Sequence, residues 1–229
     1  MNQNDCYLTD ELHSFNLSLQ TRPLDEVKRI HDALIPFSSP FTIPARRIFH
    51  FTQPDKSSVV LLLQEGFFSI CREKDSLHIA SGFAPTVSGL IDGCSSLYEI
   101  EHRPRHYFLA ETECRGYSIP FGLLSEKIDE LNLWHDVAII LAQRIMVMSA
   151  REHELIGGDA YTKVRAILIE LWIYPADVRN EINVQHFIQM RTSISHSQVM
   201  KILSSLRAGG YINILRGKLT KLNKLPRSF

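Results

Sequence analysis

With 229 residues, 45% of them hydrophobic and 22% charged, the chain can bury one large core or two small ones, and its composition excludes neither. The longest apolar runs, 59–63 and 137–142, are too short to span a bilayer, and Met1-Asn2-Gln3-Asn4-Asp5 lacks the basic and apolar regions of a signal peptide. A cytoplasmic protein with no membrane partner is expected. The net charge of zero hides an uneven distribution. Residues 157–229 carry eleven Lys or Arg against Asp159, Glu170, Asp177 and Glu181, an excess of +7, so the first 156 residues carry −7. A basic end of this size suits contact with phosphates.

Residues 1–23 are polar and unpatterned. The first convincing element is a helix over 24–35, where Leu24, Val27, Ile30, His31 and Leu34 share a face and Pro36 stops it. From 41 to about 120 the chain turns to short β-rich runs at 41–43, 48–51, 59–63, 67–71, 77–80, 107–110 and 116–119, punctuated by Gly, Pro, Asn, Asp or Ser. Short strands at near-regular spacing, with no long helix between them, predict an antiparallel sandwich or jelly roll. Gln64-Glu65-Gly66 and Glu73-Lys74-Asp75-Ser76 are its clearest turns.

A short helix over 125–131 and a long one over 133–156 follow. In the long helix Trp134, Ala138, Leu141, Ile145, Met148, Glu152 and Leu155 recur at four- and three-residue steps, the spacing of a coiled-coil seam. Leu133, Val137, Ile140 and Val147 make a second apolar face, so one face can cover the β-region while the other meets a partner helix. A single buried helix is the plainer alternative. Dimerisation through Trp134, Ala138, Leu141, Ile145, Met148 and Leu155 is preferred, since a two-fold pair also suits two DNA half-sites about 34 Å apart. Gly157-Gly158 marks a hinge where the charge changes sign. Asp159 can cap a helix from 160 to about 173, whose core face is Val164, Ile167, Leu168 and Leu171.

The most informative stretch is 183–222. Asn183 can cap a helix over 184–191, Thr192-Ser193-Ile194 breaks the pattern, and Ser195 can cap a second helix with Val199, Ile202, Leu203 and Leu206 inward. Gly209-Gly210 stops that helix. Strand-like runs at 211–215 and 219–222 are joined by Arg216-Gly217-Lys218, which makes a basic hairpin tip. Helix, turn, helix and wing together point to double-stranded DNA. The residues expected at base edges are His196, Ser197, Gln198 and Lys201; those expected at phosphates are Thr192, Ser193, Ser195, Arg216, Lys218 and Lys221.

Enzymatic signatures are missing: there is no GxSxG, HExxH or phosphate loop. His50, His78, His102 and His106 lack the grouping of a cupin metal centre, and Cys6, Cys71, Cys94 and Cys114 form no CxxC pair. No catalytic residue, metal or cofactor is expected, and the cysteines read as buried reduced thiols. The overall expectation is an α+β chain. Its parts are a polar segment 1–23, a β-sandwich 24–132, a dimerisation helix 133–156 and a winged helix-turn-helix 157–229.

That order of parts resembles the cyclic-nucleotide-receptor and fumarate-nitrate-regulator superfamily of bacterial transcription factors, over essentially the whole chain. More narrowly, residues 161–169, Arg191-Thr192, Arg207-Ala208-Gly209-Gly210-Tyr211-Ile212, Gly217-Lys218-Leu219 and Asn223-Lys224-Leu225-Pro226 look like the inhibitor of hydrogen peroxide resistance regulators of enterobacteria. Gly89-Leu90-Ile91-Asp92-Gly93 and Gly116-Tyr117 anchor the resemblance upstream. It implies a cyclic-nucleotide-binding-like jelly roll, a homodimer, a DNA-binding regulator linked to oxidative stress, and RNA polymerase as a further partner.

The superfamily's Ser-Arg-Glu-Thr-Val-x-Arg recognition pattern falls on Ser195, His196, Ser197, Gln198, Val199, Met200 and Lys201, so the frame fits while the base-reading letters differ. The cyclic-nucleotide turn, Gly-Glu-Leu in the superfamily, is Gly89-Leu90-Ile91 here and lacks its acid. Pro104, between Arg103 and Arg105, stands where the phosphate-binding arginine is expected. Cyclic nucleotide is therefore not an expected ligand, nor is an iron–sulfur cluster. A partner-binding or adaptor protein that keeps the regulator fold without specific DNA binding is the alternative.

Overall fold

A computed structural model describes residues 13–98, 104–155 and 158–226. Their contacts fall into two units: residues 22–143 form one, and residues 13–21 together with 144–226 form the other.

The first unit holds two four-stranded antiparallel sheets. In one the strands β1 (Ser39–Ile43), β8 (Cys114–Pro120), β3 (Val59–Glu65) and β6 (Thr86–Ser88) lie in that order. In the other the order is β2 (Ile48–His50), β7 (His106–Ala110), β4 (Phe67–Arg72) and β5 (His78–Phe83). Strand β3 explains its own unbroken apolar run. Leu61 and Leu63 point between the sheets, where they meet Phe51, Phe68 and Phe108. Val60 and Leu62 point the other way, into a core closed by Ile30 and Leu34 of helix α2 (Leu24–Leu34), Leu124 and Ile128 of α4 (Phe121–Glu130), and Val137 and Ile140 of α5 (Trp134–Leu155). A strand covered on both faces cannot alternate with polar residues, and this one does not.

The expected strands are present and the Glu73–Ser76 turn falls between β4 and β5, but Gln64 and Glu65, expected in a turn, belong to β3, and Gly66 alone, at φ 110°, makes the turn into β4. Strand β6 and the helix α3 (Leu90–Ser96) were not anticipated, since three residues and seven residues are too short to declare a period. Helix α4 begins at Phe121, four residues before the expected start.

The second unit contains α6 (Ala160–Ile173), α7 (Ala176–Glu181), α8 (Val184–Gln189) and α9 (His196–Ala208), then the hairpin β9 (Ile212–Leu215) and β10 (Lys218–Leu222). Pro175, expected only to end α6, is also the N-cap of α7, a short helix missed in the sequence. Two differences from the expected boundaries stand out. Residues 14–20, read as unpatterned, are the helix α1 (Ser14–Gln20), with Phe15 buried in the second unit. The division along α5 falls between Gln143 and Arg144, inside the long helix, whereas Gly157 lies outside the described residues. No helix among the described residues is long and apolar enough to cross a membrane.

Candidate nucleic-acid interface

All three caps expected in the second unit are made. Asp159 accepts from the Thr162 amide at 2.7 Å, Asn183 from the His186 amide at 3.0 Å, and Ser195 from the Gln198 amide at 3.4 Å. Each satisfies an amide that the first turn of a helix leaves unpaired. Val184, Phe187 and Ile188 of α8 and Val199, Leu203 and Leu206 of α9 are buried, which locks the pair together. Helix α9 ends in a Schellman turn: the Gly210 amide donates to the Arg207 carbonyl and the Tyr211 amide to that of Leu206. Gly210 sits at φ +73°, where a Cβ would be strained.

His196, Ser197, Gln198 and Lys201 all lie exposed on α9, on the side away from its core face. Gln198 is partly committed to the helix start, because its side-chain oxygen accepts from the Ser195 hydroxyl at 3.2 Å. Helical spacing extends the outward face to Met200, Ser204 and Arg207, which the sequence reading left out; Met200 is 43% exposed. An exposed methionine there offers an apolar contact of the kind that a thymine methyl accepts.

The wing tip is a two-residue turn in which Arg216 (φ 50°) and Gly217 (φ 79°) both take positive φ, the geometry that matches the twist of paired strands. Glycine suits such a position and arginine does not, so the sequence keeps a cation at the tip at a cost of about 1 kcal/mol. The wing is fastened to the rest of the unit. The Val184 amide donates to the Gly217 carbonyl at 2.9 Å, and a Cβ on Gly217 would come within 2.5 Å of the Asn183 side-chain nitrogen Nδ2. Lys218 donates to the Glu181 carbonyl, so its charge is anchored beside α7. Arg216 and Lys221 are exposed.

Not all of the expected phosphate contacts are placed for that task. Ser193 and Ser195 are exposed, but Thr192 is buried and its hydroxyl donates to the Ile188 carbonyl at 2.9 Å. Arg191, counted above in the basic excess, is also buried. It lies with its guanidinium 3.6 Å from the Phe187 ring centre and its Nε 3.3 Å from Glu170.

Glu170 is the centre of a buried ionic cluster that no short sequence pattern announces. Only 1% exposed, it accepts from Arg151 of α5 at 2.8 Å and from the Tyr174 hydroxyl at 2.8 Å, besides facing Arg191. Burial pushes its carboxyl up, but the guanidiniums of Arg151 and Arg191 and the hydrogen bonds from Arg151 and Tyr174 outweigh that, and hold it at about 2. The cluster fixes the turn between α8 and α9 to α6 and to the end of α5.

On α5 part of the expected seam is uncovered in a single chain: Ile145 is 69% and Met148 50% exposed and Trp134 and Ala138 are exposed, whereas Leu155 is half-buried and Leu141 packs against the β-unit core. The Trp134 indole donates to Asp129.

In the β-unit, the stretch where a cyclic-nucleotide turn would lie is the helix α3. Its acid, Asp92, is 2% exposed and turned inward: its carboxylate accepts from the His106 amide at 3.0 Å and lies 3.0 Å from His106 Nδ1. Arg103 falls outside the described residues, Pro104 is exposed, and the Arg105 carbonyl accepts from the Glu73 amide. Cys71 and Cys114 are buried and Cys94 is half-buried. Burial, with Glu111 and Glu113 nearby, pushes the Cys114 thiol up to about 12, and burial also raises Cys94. Cys6 lies outside the described residues. Among the described residues no group of His, Cys, Asp and Glu is arranged to hold a metal ion.

A family model for winged helix-turn-helix DNA binding matches residues 160–227. The chain is 29% identical over 208 residues to the protein of Escherichia coli K12 named inhibitor of hydrogen peroxide resistance, covering 91% of this chain and 98% of that one. Its namesake in Salmonella typhimurium is 27% identical over 209 residues, with the same coverage. Among solved structures, the c-di-GMP-responsive global regulator CLP of Xanthomonas campestris superposes with a TM-score of 0.68 at 17% identity, covering 86% of this chain and all of that one. A transcriptional regulator of the CRP/FNR family from Eubacterium rectale gives 0.64 at 15% identity, covering 86% and 89%. The chain therefore has the CRP/FNR fold with a C-terminal winged helix-turn-helix DNA-binding domain, and along nine-tenths of its length it is similar to the inhibitor of hydrogen peroxide resistance proteins.

Proposed function

We propose that the chain is a homodimeric, sequence-specific transcription regulator that acts in the cytoplasm on genes of oxidative-stress resistance. The observation that carries the DNA-binding reading is the outward face of α9, where His196, Ser197 and Lys201 stand exposed beside a wing whose tip is a cation held at positive φ. In this reading His196, Ser197, Met200 and Lys201 meet base edges in the major groove, and Ser193, Ser195, Arg216 and Lys221 meet phosphates. Thr192 and Arg191 instead hold the turn from inside, and Lys218 steadies the wing while adding positive potential near the backbone.

The exposed apolar seam of α5 supports pairing with a second copy, which would present two recognition helices to two half-sites. The stress connection rests on the name of the relatives. RNA polymerase is the third partner that such a regulator needs, either as a contact or as a competitor for the promoter. The inward, His106-bound state of Asp92 supports a β-unit that does not take a cyclic nucleotide in the superfamily's manner.

The test is binding of the purified chain to a fragment carrying its own promoter and to random DNA at two salt concentrations, repeated with reductant, peroxide and cyclic nucleotide. Selective, salt-sensitive binding is expected, with affinity falling steeply between 50 and 200 mM salt, on the order of a hundredfold or more for several phosphate contacts. Equal binding to both fragments, or to neither, would move the function to a partner-binding protein.

A further inference from the structure

The chain enters the DNA-binding unit twice. It does so once along α5 and once through its own beginning, because α1 belongs with residues 144–226 while the helix that follows it after Thr21-Arg22-Pro23 belongs to the β-unit. The early entry is built like a latch. The Glu154 carboxylate accepts from the Ser14 amide at 2.5 Å and from its hydroxyl at 2.6 Å, capping the start of α1 from the far end of α5. His13 Nε2 lies 2.9 Å from the Ala166 carbonyl of α6.

Phe15 is 3% exposed and packs 5.1 Å from the Tyr174 ring, which meets Phe187 of α8 edge-on at 5.5 Å. The same Tyr174 donates its hydroxyl to Glu170, and Glu170 faces Arg191 in the recognition turn. Phe15 is thus two side chains away from the turn that aims α9. At the other end of the connection, Arg22 donates to the Phe83 and Pro85 carbonyls at 3.0 and 2.7 Å, which pins the strap to the β-unit.

We infer that α1 is a positioning element of the helix-turn-helix, and that residues 13–22 form a second tether by which the state of the β-unit reaches the recognition turn. Such a tether works by differential stability. With α1 docked, Tyr174 is held against Phe187 and its hydroxyl is kept on Glu170; with α1 withdrawn, Tyr174 loses its cover and the turn loosens. Its effect on affinity rests on the DNA-binding reading above, but its effect on the turn does not.

The experiment uses the full-length chain and reads native-state hydrogen exchange together with promoter affinity. Phe15→Ala is expected to speed exchange at the Met190, Arg191 and Val199 amides about tenfold and to weaken promoter binding about tenfold, with the β-strands unchanged. Phe15→Tyr should restore most of both. Arg22→Ala, in the other unit and remote in sequence from the turn, should speed the same three amides severalfold, which a purely local packing role for α1 would not do.

Exchange in Phe15→Ala altered only at residues 13–21 would overturn the positioning role. An Arg22→Ala variant with an unchanged recognition turn would overturn the tether. If wild type shows no preference for its promoter while the exchange responses appear as expected, the DNA-binding reading fails and the latch stands.

Discussion

The two units solve the problem of a fixed interior in opposite ways. The β-unit relies mainly on shape: its inter-sheet core is Phe51, Leu61, Leu63, Phe68 and Phe108, and its buried acids, Asp92 beside His106 and Asp136 beside Arg29, lie outside that cluster. The DNA-binding unit places an ionic cluster, Glu170 with Arg151 and Arg191, at its centre. An apolar contact tolerates sliding, whereas a charge with few partners tolerates one arrangement; burying ions is an inefficient route to stability but a good route to a single orientation. The unit that carries the helix-turn-helix is the one that buries an acid between two arginines.

That contrast is most directly broken at Glu170. Glu170→Ala removes the carboxylate that faces Arg151 and Arg191 and should cost about 3–5 kcal/mol, read as a lower urea midpoint on tryptophan fluorescence. The pH dependence has a definite sign. Because the folded carboxyl is held at about 2, below its ordinary value, its contribution is complete above about pH 4.5 and is lost as pH falls toward 2. Between pH 5 and 8 the cluster should not respond, and in Glu170→Gln the acid-limb loss should shrink.

A smaller effect is expected on the outward face. Lys201→Ala should lose about 1–3 kcal/mol of discrimination between operator and random DNA, measured as the ratio of the two affinities, with little change in stability. Unchanged discrimination would remove Lys201 from the base-reading set. Arg216→Asn sets function against stability within one residue. Asparagine accepts positive φ, so the domain should gain about 0.5–1 kcal/mol in thermal unfolding. Binding to every DNA should nevertheless weaken, and the salt slope should fall by roughly one.

The smallest effect belongs to the β-unit's thiols. With its thiol at about 12, Cys114 is ionised at roughly one part in a hundred thousand at pH 7. Cys71 and Cys114 should therefore resist alkylation until the chain is denatured, with or without prior peroxide. Labelling of either in the native protein would show that the β-unit opens far more readily than its packing indicates.

How much of this was readable in advance follows from sequence distance. The caps Asp159, Asn183 and Ser195 act on amides three residues away, and the α9 stripe repeats within two turns, so local patterns expose them. The ionic cluster joins residues 19 and 21 apart, and nothing near Arg191 distinguishes a buried arginine from one that meets a phosphate. Its charge belongs to the basic excess of residues 157–229, but the fold keeps it off the surface. Thr192 misled for a related reason: a hydroxyl in a turn can face either way, and this one caps the preceding helix from within. Helix α1 lies furthest from view, because it is seven residues long and its partners are 140 and 153 residues downstream.

Those separations also set an order of events at the ribosome. Residues 13–20 leave the exit tunnel early, while Glu154 and Ala166 follow only after most of the chain has been made, on the order of ten seconds later at ordinary rates of synthesis. The β-unit can fold in that interval, but α1 must wait for its partners. A braced recognition turn is thus available only once residues 154–191 have been made, so products that stop short of them would carry the β-unit without it.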